Sequence, residues 1–360
     1  MRADLNKSVH SPDDPEPRAF ARATRRPRGV TAGARDDLST AERFEALSAR
    51  QPEIALLRRF IEAYWLRPEN AFWMYLRSAV LSRRALDGPM LDVACGDGVF
   101  SFLHAGGAFD PAFDVFAAVT NLDRVHDAHA DMFDCSGAAY RPVVVHEPDR
   151  TIACGLDAKV SLLDRAALLE LYDRLIRHDC ARPLPIPNGA FQTVYCNAAY
   201  WVENIDAFLR ELHRITSPGG RVILHVKLDS LGRYTLESHR AALGDRFLDI
   251  IGRGRVETWP SLADRATWER RFEAAQLAID EATPFITKTH AHVWDIGLRP
   301  IAPLLVRMAN ALSPETRIAI KRDWVALMVD LLAPLCDPRF DLIGSDDEPG
   351  EIHYVLRPRT

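Results

Sequence analysis

The chain has 360 residues, of which 48% are hydrophobic, and a formal net charge of -5 at pH 7. This size and composition are typical of a globular protein with one large domain, with or without a cap. The chain therefore lacks the strongly positive net charge that is typical of proteins that bind nucleic acids or anionic membranes. No apolar run reaches the ~20 residues of a membrane span, and the first residues lack the apolar core of a signal peptide. We therefore expect a cytoplasmic protein.

The residue types that hold metals or form disulfides show no matching pattern. None of the six cysteines belongs to a C-x-x-C pair, which favours reduced thiols over disulfides or a metal centre. Asp123, Asp127 and Asp131 recur every four residues, which predicts a solvated helix face, since no tight loop of oxygen ligands is present. We expect no metal site.

The N-terminal part of the chain changes character near residue 39. Residues 1–38 are rich in Pro, Arg, Asp and Ala, and we predict a disordered tail. Residues 39–88 are predicted to be helical, with a break at Pro68 and a second helix over Ala71–Ala85. Four apolar residues at spacings of three and four mark one face of the first helix: Ile54, Leu57, Ile61 and Tyr64.

Strand-like and helix-like runs alternate over residues 89–285, which we take as the core. The predicted strands cover 90–99, 151–156, 193–197, 222–226 and 277–285, with a last one at 352–356. The predicted helices cover 161–176, 205–215 and 263–275. This alternation predicts an α/β fold with a mostly parallel sheet and helices on both faces. Residues 102–150 are an insertion, 286–340 a helical segment, and 341–360 return to the sheet.

A glycine-rich turn follows the first predicted strand. The segment Leu91-Asp92-Val93-Ala94-Cys95-Gly96-Asp97-Gly98 runs from an apolar strand into a predicted helix. Glycine lets the chain turn tightly and lets its backbone approach a ligand. The dinucleotide fingerprint requires a third glycine three residues later, where this chain has Ser101. Asp92 suits an ammonium group better than a pyrophosphate.

These residues resemble the first motif of class I S-adenosylmethionine (SAM)-dependent methyltransferases, Asp92-x-x-x-Gly96-x-Gly98. Three further segments resemble later motifs of that family, in the same order. They are Gly155-Leu156-Asp157 with Ala166 downstream, His178-Asp179-Cys180 before Leu184-Pro185, and Ser217-Pro218-Gly219-Gly220 before a strand. The main departure is the distance of 65 residues from Asp92 to Asp157, which the insertion at 102–150 must account for.

The resemblance implies a Rossmann-like, seven-stranded fold that binds SAM and releases S-adenosylhomocysteine (SAH). It implies that Asp157 accepts hydrogen bonds from the ribose hydroxyls, a role that a carboxylate at a strand end suits. It also assigns the adenine amino group to Asp179 and an adenine ring nitrogen to the backbone N–H of Cys180. The full predicted cofactor set is Asp92, Ala94, Cys95, Gly96, Gly98, Phe100, Asp157, Ala158, Asp179, Cys180 and Asn197.

The residues after the fourth predicted strand are expected to face the methyl donor. Tyr200 and Trp201 are our candidates for the acceptor pocket. The Pro-Pro-Tyr motif of the amide methylases is absent here, which argues against an amide or nucleobase nitrogen acceptor. An alcohol or phenol acceptor needs a base, and His292 is our candidate, with a structural histidine as the alternative.

The helices at 39–88 and 286–340 resemble the lid and cap of small-molecule methyltransferases. A covered pocket suits a small acceptor better than a protein or nucleic acid, so we expect a small-molecule substrate, with homo-oligomerisation left open. Two other functions remain as alternatives: an NAD(P)-binding oxidoreductase, and a non-catalytic SAM-binding sensor or partner subunit.

Overall fold

The computed structural model describes residues 51–83, 86–119, 140–252, 259–336 and 347–359. The strands are β1 Met90–Val93, β2 Ala108–Phe109, β3 Val144–His146, β4 Cys154–Asp157, β5 Leu175–Arg177, β6 Phe191–Cys196, β7 Thr216–Lys227, β8 Leu277–Ile286 and β9 Glu351–Pro358. The first helices are α1 Gln51–Ala63, α2 Pro68–Leu81, α3 Val99–His104, α4 Val160–Ala167 and α5 Ile205–Ile215. After β7 come α6 Ser230–Arg233, α7 Arg240–Leu243, α8 Asp245–Gly252, α9 Arg265–Ala274, α10 Lys288–His292, α11 Ala302–Asn310 and α12 Pro314–Leu332.

Seven strands form one sheet in the order β5-β4-β1-β6-β7-β9-β8. Strands β4, β5, β1, β6 and β7 are parallel, and β9 is antiparallel to both of its neighbours. The carboxyl ends of the five parallel strands therefore meet at one edge of the sheet, where β9 begins. We call this the carboxyl edge. The predicted α/β fold with a mostly parallel, seven-stranded sheet is confirmed.

Apolar side chains cover both faces of the sheet because neighbouring residues of a strand point to opposite faces. On β6, Val194 and Cys196 pack into a core with α5 and α9, whereas Tyr195 packs into a second core with α1, α2 and α3. On β7, Val222 and Leu224 pack into the same core as Val194 and Cys196, whereas Ile223 packs into the same core as Tyr195. Strands buried on both faces explain the nearly continuous apolar runs in the sequence.

Two predicted helices have different limits in the structure. The helix predicted over residues 161–176 ends at Ala167, because Glu170 has a φ of 51° and the chain then forms β5 beside β4. The helix predicted from Ala71 begins at Pro68 instead. Proline is favoured in the first helical turn, where its missing N–H costs no hydrogen bond.

The insertion between β1 and β4 contributes a short antiparallel pair, β2 with β3, which the sequence did not predict. The tail predicted over residues 1–38 lies outside the described residues, as do Asp123, Asp127 and Asp131. In the described ranges, no helix is both long and apolar enough to cross a bilayer.

Candidate functional site

The turn between β1 and α3 has a backbone that demands small residues. Gly96 and Gly98 have φ angles of 62° and 75°, and Ala94 has 57°, all in the left-handed region that side chains disfavour. A Cβ added to Gly98 would lie 3.0 Å from the ring of Tyr172 and 3.3 Å from the Cβ of Ala166. The turn therefore packs directly against the alanine that follows the second motif.

Asp92 is buried on β1 and is held by two hydroxyl groups. The Ser101 hydroxyl donates to its Oδ2 over 2.5 Å, and the Tyr172 hydroxyl donates to the same oxygen over 2.8 Å. Burial raises the pKa of Asp92 to about 6, although both hydrogen bonds favour the charged form. Ser101, which occupies the position of the third glycine of the dinucleotide fingerprint, thus donates a hydrogen bond to the acidic residue of the turn.

Asp157 ends β4 beside the turn. Its Oδ2 accepts a 3.0 Å hydrogen bond from the backbone N–H of Gly96, and its Oδ1 accepts a 2.9 Å bond from that of Lys159. The backbone N–H of Cys95 donates to the carbonyl of Leu156 over 3.0 Å. A carboxylate has about four acceptor positions, so each oxygen of Asp157 retains capacity for a further donor such as a ribose hydroxyl.

Asp179 and Cys180 follow β5, the next strand of the sheet. Asp179 is exposed, and its Oδ1 accepts from the backbone N–H of Ala181 over 2.9 Å. Burial raises the pKa of the Cys180 thiol to about 12, and the charges of Asp157 and Asp179 add to this effect. The structure therefore brings the second and third motifs close to each other at the carboxyl edge.

The remaining residues of the predicted cofactor set divide into surface and core positions. Ala158 is exposed, directly after Asp157, and Asn197 is half-buried after β6. Phe100 lies in the core, where its ring stacks on that of Tyr195 with centroids 5.8 Å apart. Phe100 thus packs in the core directly after the turn.

A buried tyrosine, Tyr140, lies against Arg165 of α4. The Tyr140 hydroxyl is buried and has no hydrogen-bond partner in the described part of the chain. Burial raises the pKa of Tyr140, and the charge of Asp97 adds to this effect. The Arg165 guanidinium lies over the Tyr140 ring, 4.8 Å from its centroid.

Tyr200 and Trp201 lie in the short 3-10 turn Ala199–Trp201 after β6. Tyr200 is 4% exposed and Trp201 is 55% exposed, with their ring centroids 5.2 Å apart. Only Tyr200 therefore belongs to the interior at the carboxyl edge, and Trp201 covers it from outside.

Beside Tyr200 lies a buried ion group that the sequence did not reveal. Glu351 begins β9 opposite Lys227, which ends β7. Its Oε1 accepts a 2.5 Å hydrogen bond from Lys227 Nζ and a 2.7 Å bond from Arg77 Nη2, and its Oε2 accepts a 3.0 Å bond from Arg77 Nε. Trp73 Nε1 donates to the same carboxylate over 3.1 Å.

Four aromatic rings surround the Lys227 ammonium at 4.3 to 5.5 Å from their centroids. They are Trp73, Tyr200, Trp259 and Trp294. Cation–π attraction and the Glu351 carboxylate both stabilise the buried charge. These residues come from α2, β6–α5, β7–α9 and the segment after α10, so no local sequence pattern connects them. Buried charged residues at strand ends, Lys227 and Glu351, are the only signal that could have suggested the group.

His292 lies at the end of α10 and is exposed. Its ring contacts the edge of Tyr234, with centroids 6.4 Å apart. Partial loss of hydration lowers its pKa below the ordinary value, and nearby Lys288 and His239 lower it further. Its role as a base stays a prediction.

The turn lacks the third glycine of the dinucleotide fingerprint, and its acids suit the polar groups of SAM. Gly98 has no space for a side chain, and the position of the third glycine is occupied by Ser101, which bonds Asp92. The oxygens of Asp92 and Asp157 provide acceptors around the turn. In the described residues, no group of three or more His, Cys, Asp or Glu is placed to hold a metal ion. All five cysteines found there are free thiols.

A mostly parallel sheet with a glycine turn and acidic residues at its carboxyl edge is a Rossmann-like arrangement. The sequence profile of the methyltransferase domain family matches residues 57–282. The chain belongs to this family, and it is an enzyme.

Individual relatives are distant. The probable methyltransferase PMT28 of Arabidopsis thaliana is 27% identical over 99 residues, which are 27% of this chain and 14% of that protein. A SAM-dependent methyltransferase of Mesorhizobium loti is 15% identical, with a TM-score of 0.37, and the match covers 78% of this chain and 95% of the other. The geranyl diphosphate C-methyltransferase of Streptomyces coelicolor A3(2) is 12% identical, with a TM-score of 0.35, over 78% and 74% of the two chains. The two structural likenesses concern the fold alone.

Proposed function

We propose that this enzyme transfers the methyl group of SAM, by in-line displacement, to a small molecule bound at the carboxyl edge beside Tyr200. The observation that carries the proposal is the position of the aromatic group around Tyr200. It lies just beyond β6 and β7, whereas the glycine turn and Asp157 lie beyond β1 and β4. Donor and acceptor sites are thus adjacent on one edge of the sheet.

SAM supplies an electrophilic methyl group on a sulfonium. Asp92 is placed to hold the donor's ammonium group, directly or through water, and Asp157 to accept from its ribose hydroxyls. Asp179 and the Cys180 N–H are assigned to the adenine. The enzyme's main tasks are then to orient the acceptor and to exclude water.

Exclusion of water is the role that we assign to α2 and to the segment after α10, as lid and cap. Trp73 of α2 and Trp294 of that segment pack with ring centroids 4.4 Å apart. Both contact the Lys227 ammonium beside Tyr200. An enclosed aromatic site suits a small acceptor better than a macromolecular surface.

The test of cofactor use is a calorimetric titration of cofactor-stripped protein with SAH. Asp157→Ala should weaken binding by about 1.5–3 kcal/mol, or on the order of ten- to a hundredfold, because a charged hydrogen bond is lost. Asp173→Ala, which removes an exposed carboxylate before β5, should leave binding unchanged. Absence of wild-type SAH binding would refute the proposal.

The acceptor class is tested with SAM carrying a labelled methyl group. Small-molecule, protein and RNA fractions of a cell extract are offered separately, and label is expected in the small-molecule fraction. Label found only in protein or RNA would refute the small-molecule acceptor while leaving methyl transfer itself intact.

A further inference from the structure

Arg77 lies at the acceptor side of the carboxyl edge, and its bonds leave part of its guanidinium unused. It lies on α2, on the same side of the sheet as Tyr195. Its guanidinium reaches the hydroxyl of Tyr200, just after β6, and the carboxylate of Glu351, at the start of β9. The guanidinium thus lies beside the strand end at which the proposed acceptor pocket begins.

Two of the three guanidinium nitrogens of Arg77 are engaged. Nε and Nη2 form a two-pronged pair with Glu351, and Nη2 also donates to the Tyr200 hydroxyl over 3.4 Å. Nη1 makes no hydrogen bond to any residue of the described ranges. The side chain is 6% exposed, so two N–H donors remain on a fixed, nearly buried cation.

A donor pair of this kind favours an anionic oxygen. Guanidinium stays charged at every physiological pH and binds carboxylates through short, charge-assisted hydrogen bonds. Because Glu351 fixes the orientation of the guanidinium plane, the Arg77 side chain would lose little conformational entropy when a ligand binds. The Tyr200 ring lies beside the guanidinium, with its centroid 5.6 Å from Cζ, and a flat apolar group packs well on an aromatic face.

We propose that Arg77 anchors a carboxylate of the methyl acceptor through Nη1, so that the enzyme acts on small planar carboxylic acids. This inference rests on the proposed function and narrows its substrate class. Arg77 would then position the acceptor, while Glu351 positions Arg77.

The experiment measures binding of benzoate and cinnamate, each paired with its neutral amide, to the SAH-saturated full chain by ligand-observed NMR titration. The acids should bind at least about tenfold more tightly than the amides, because one charge-assisted hydrogen bond is at stake. Arg77→Met should abolish the difference. Arg77→Lys should retain part of it, because the charge remains and the fork is lost. Arg322→Met, which removes an 80% exposed guanidinium, should change nothing.

Each outcome has one meaning. Equal binding of acids and amides to the wild type, or a preference that survives in Arg77→Met, overturns the inference while SAH binding keeps the proposed function. Loss of SAH binding in the wild type removes the proposed function and this inference with it. If Arg77→Met fails to fold, as thermal unfolding would show, the wild-type preference and its reduction in Arg77→Lys still decide the question.

Discussion

The hydroxyl of Ser101 donates a 2.5 Å hydrogen bond to the buried carboxyl group of Asp92. Helix α3 carries the donor and β1 carries the acceptor, so this bond ties the two elements that flank the glycine turn. It also stabilises the ionised form of an acid that burial pushes toward neutrality.

We expect SAH binding to depend on pH through Asp92. Its pKa of about 6 in the ligand-free protein means that below pH 6 a proton must leave before the carboxylate can pair with the ligand's ammonium group. Affinity should therefore fall as pH drops from 7 to 5, approaching tenfold per unit, with proton release on binding. Calorimetry in buffers of different ionisation enthalpy measures both effects.

Asp92→Asn is the control for this pH dependence, and it should give weaker binding that is flat over the same range. A wild-type profile that is equally flat would contradict the assignment of Asp92. The contribution of Asp92 to the stability of the ligand-free protein depends on pH in the opposite direction to the binding affinity. A carboxyl whose pKa rises from 3.8 to about 6 on folding favours the folded state at low pH, and that contribution is lost as pH rises through 6.

Gly98→Ala should lower both stability and cofactor binding. A Cβ at this left-handed position would press on Tyr172 and Ala166, and we expect a loss of about 1–3 kcal/mol in the free energy of unfolding. Urea denaturation measures the loss. Gly219→Ala is the matched control, because Gly219 has a φ of 76° and a Cβ there meets nothing within 4 Å, so it should show only the cost of the left-handed backbone, about 1–2 kcal/mol. Equal effects of the two substitutions would contradict the packing argument.

Acid should destabilise the fold through His104. Burial lowers its pKa from 6.5 to about 4, and its Nδ1 lies 2.8 Å from the Ser78 hydroxyl. The contribution of neutral His104 to the free energy of unfolding is complete above pH 6.5. It is lost as the pH falls toward 4, and the loss is about 3 kcal/mol at most. His104→Gln should make the free energy of unfolding less steeply dependent on pH between these values, by the contribution of one proton. Exposed His146→Gln should not, and an equal response of both variants would exclude His104 as the source.

Glu351→Gln should destabilise the protein strongly. The substitution removes the negative charge that Arg77 and Lys227 share in a buried site, and breaking such a group costs about 3–5 kcal/mol. Asp323→Asn, at an exposed position, should change the free energy of unfolding by less than about 0.5 kcal/mol. A small effect at Glu351 would show that the site is hydrated or that the cations find another partner.

The sheet and the glycine turn could be predicted because their signals are local. An apolar strand, a glycine turn and a helix follow one another within residues 90–104, and Asp157 ends a strand of the same kind. Strand β5 was missed because it has three residues and its neighbours Leu168, Leu169 and Leu171 continue a helical spacing. Pairing with β4 overrides that local preference.

The acceptor side could be predicted only in part. Tyr200 was found because it follows a predicted strand. Arg77 and Glu351 were not, since 274 residues separate them and neither lies in a recognisable pattern. Contacts of this range depend on the order of strands in the sheet, which only the folded structure reveals.

The pairing of Arg77 with Glu351 also has a consequence for biosynthesis. The glycine turn, β1, β4 and β6 lie within residues 90–196 and can assemble while translation continues. Arg77 has no carboxylate partner until the ribosome has added Glu351. Contacts between residues so far apart in sequence form slowly. A nascent chain therefore contains every residue of the glycine turn well before it contains the acid that completes the buried ion group.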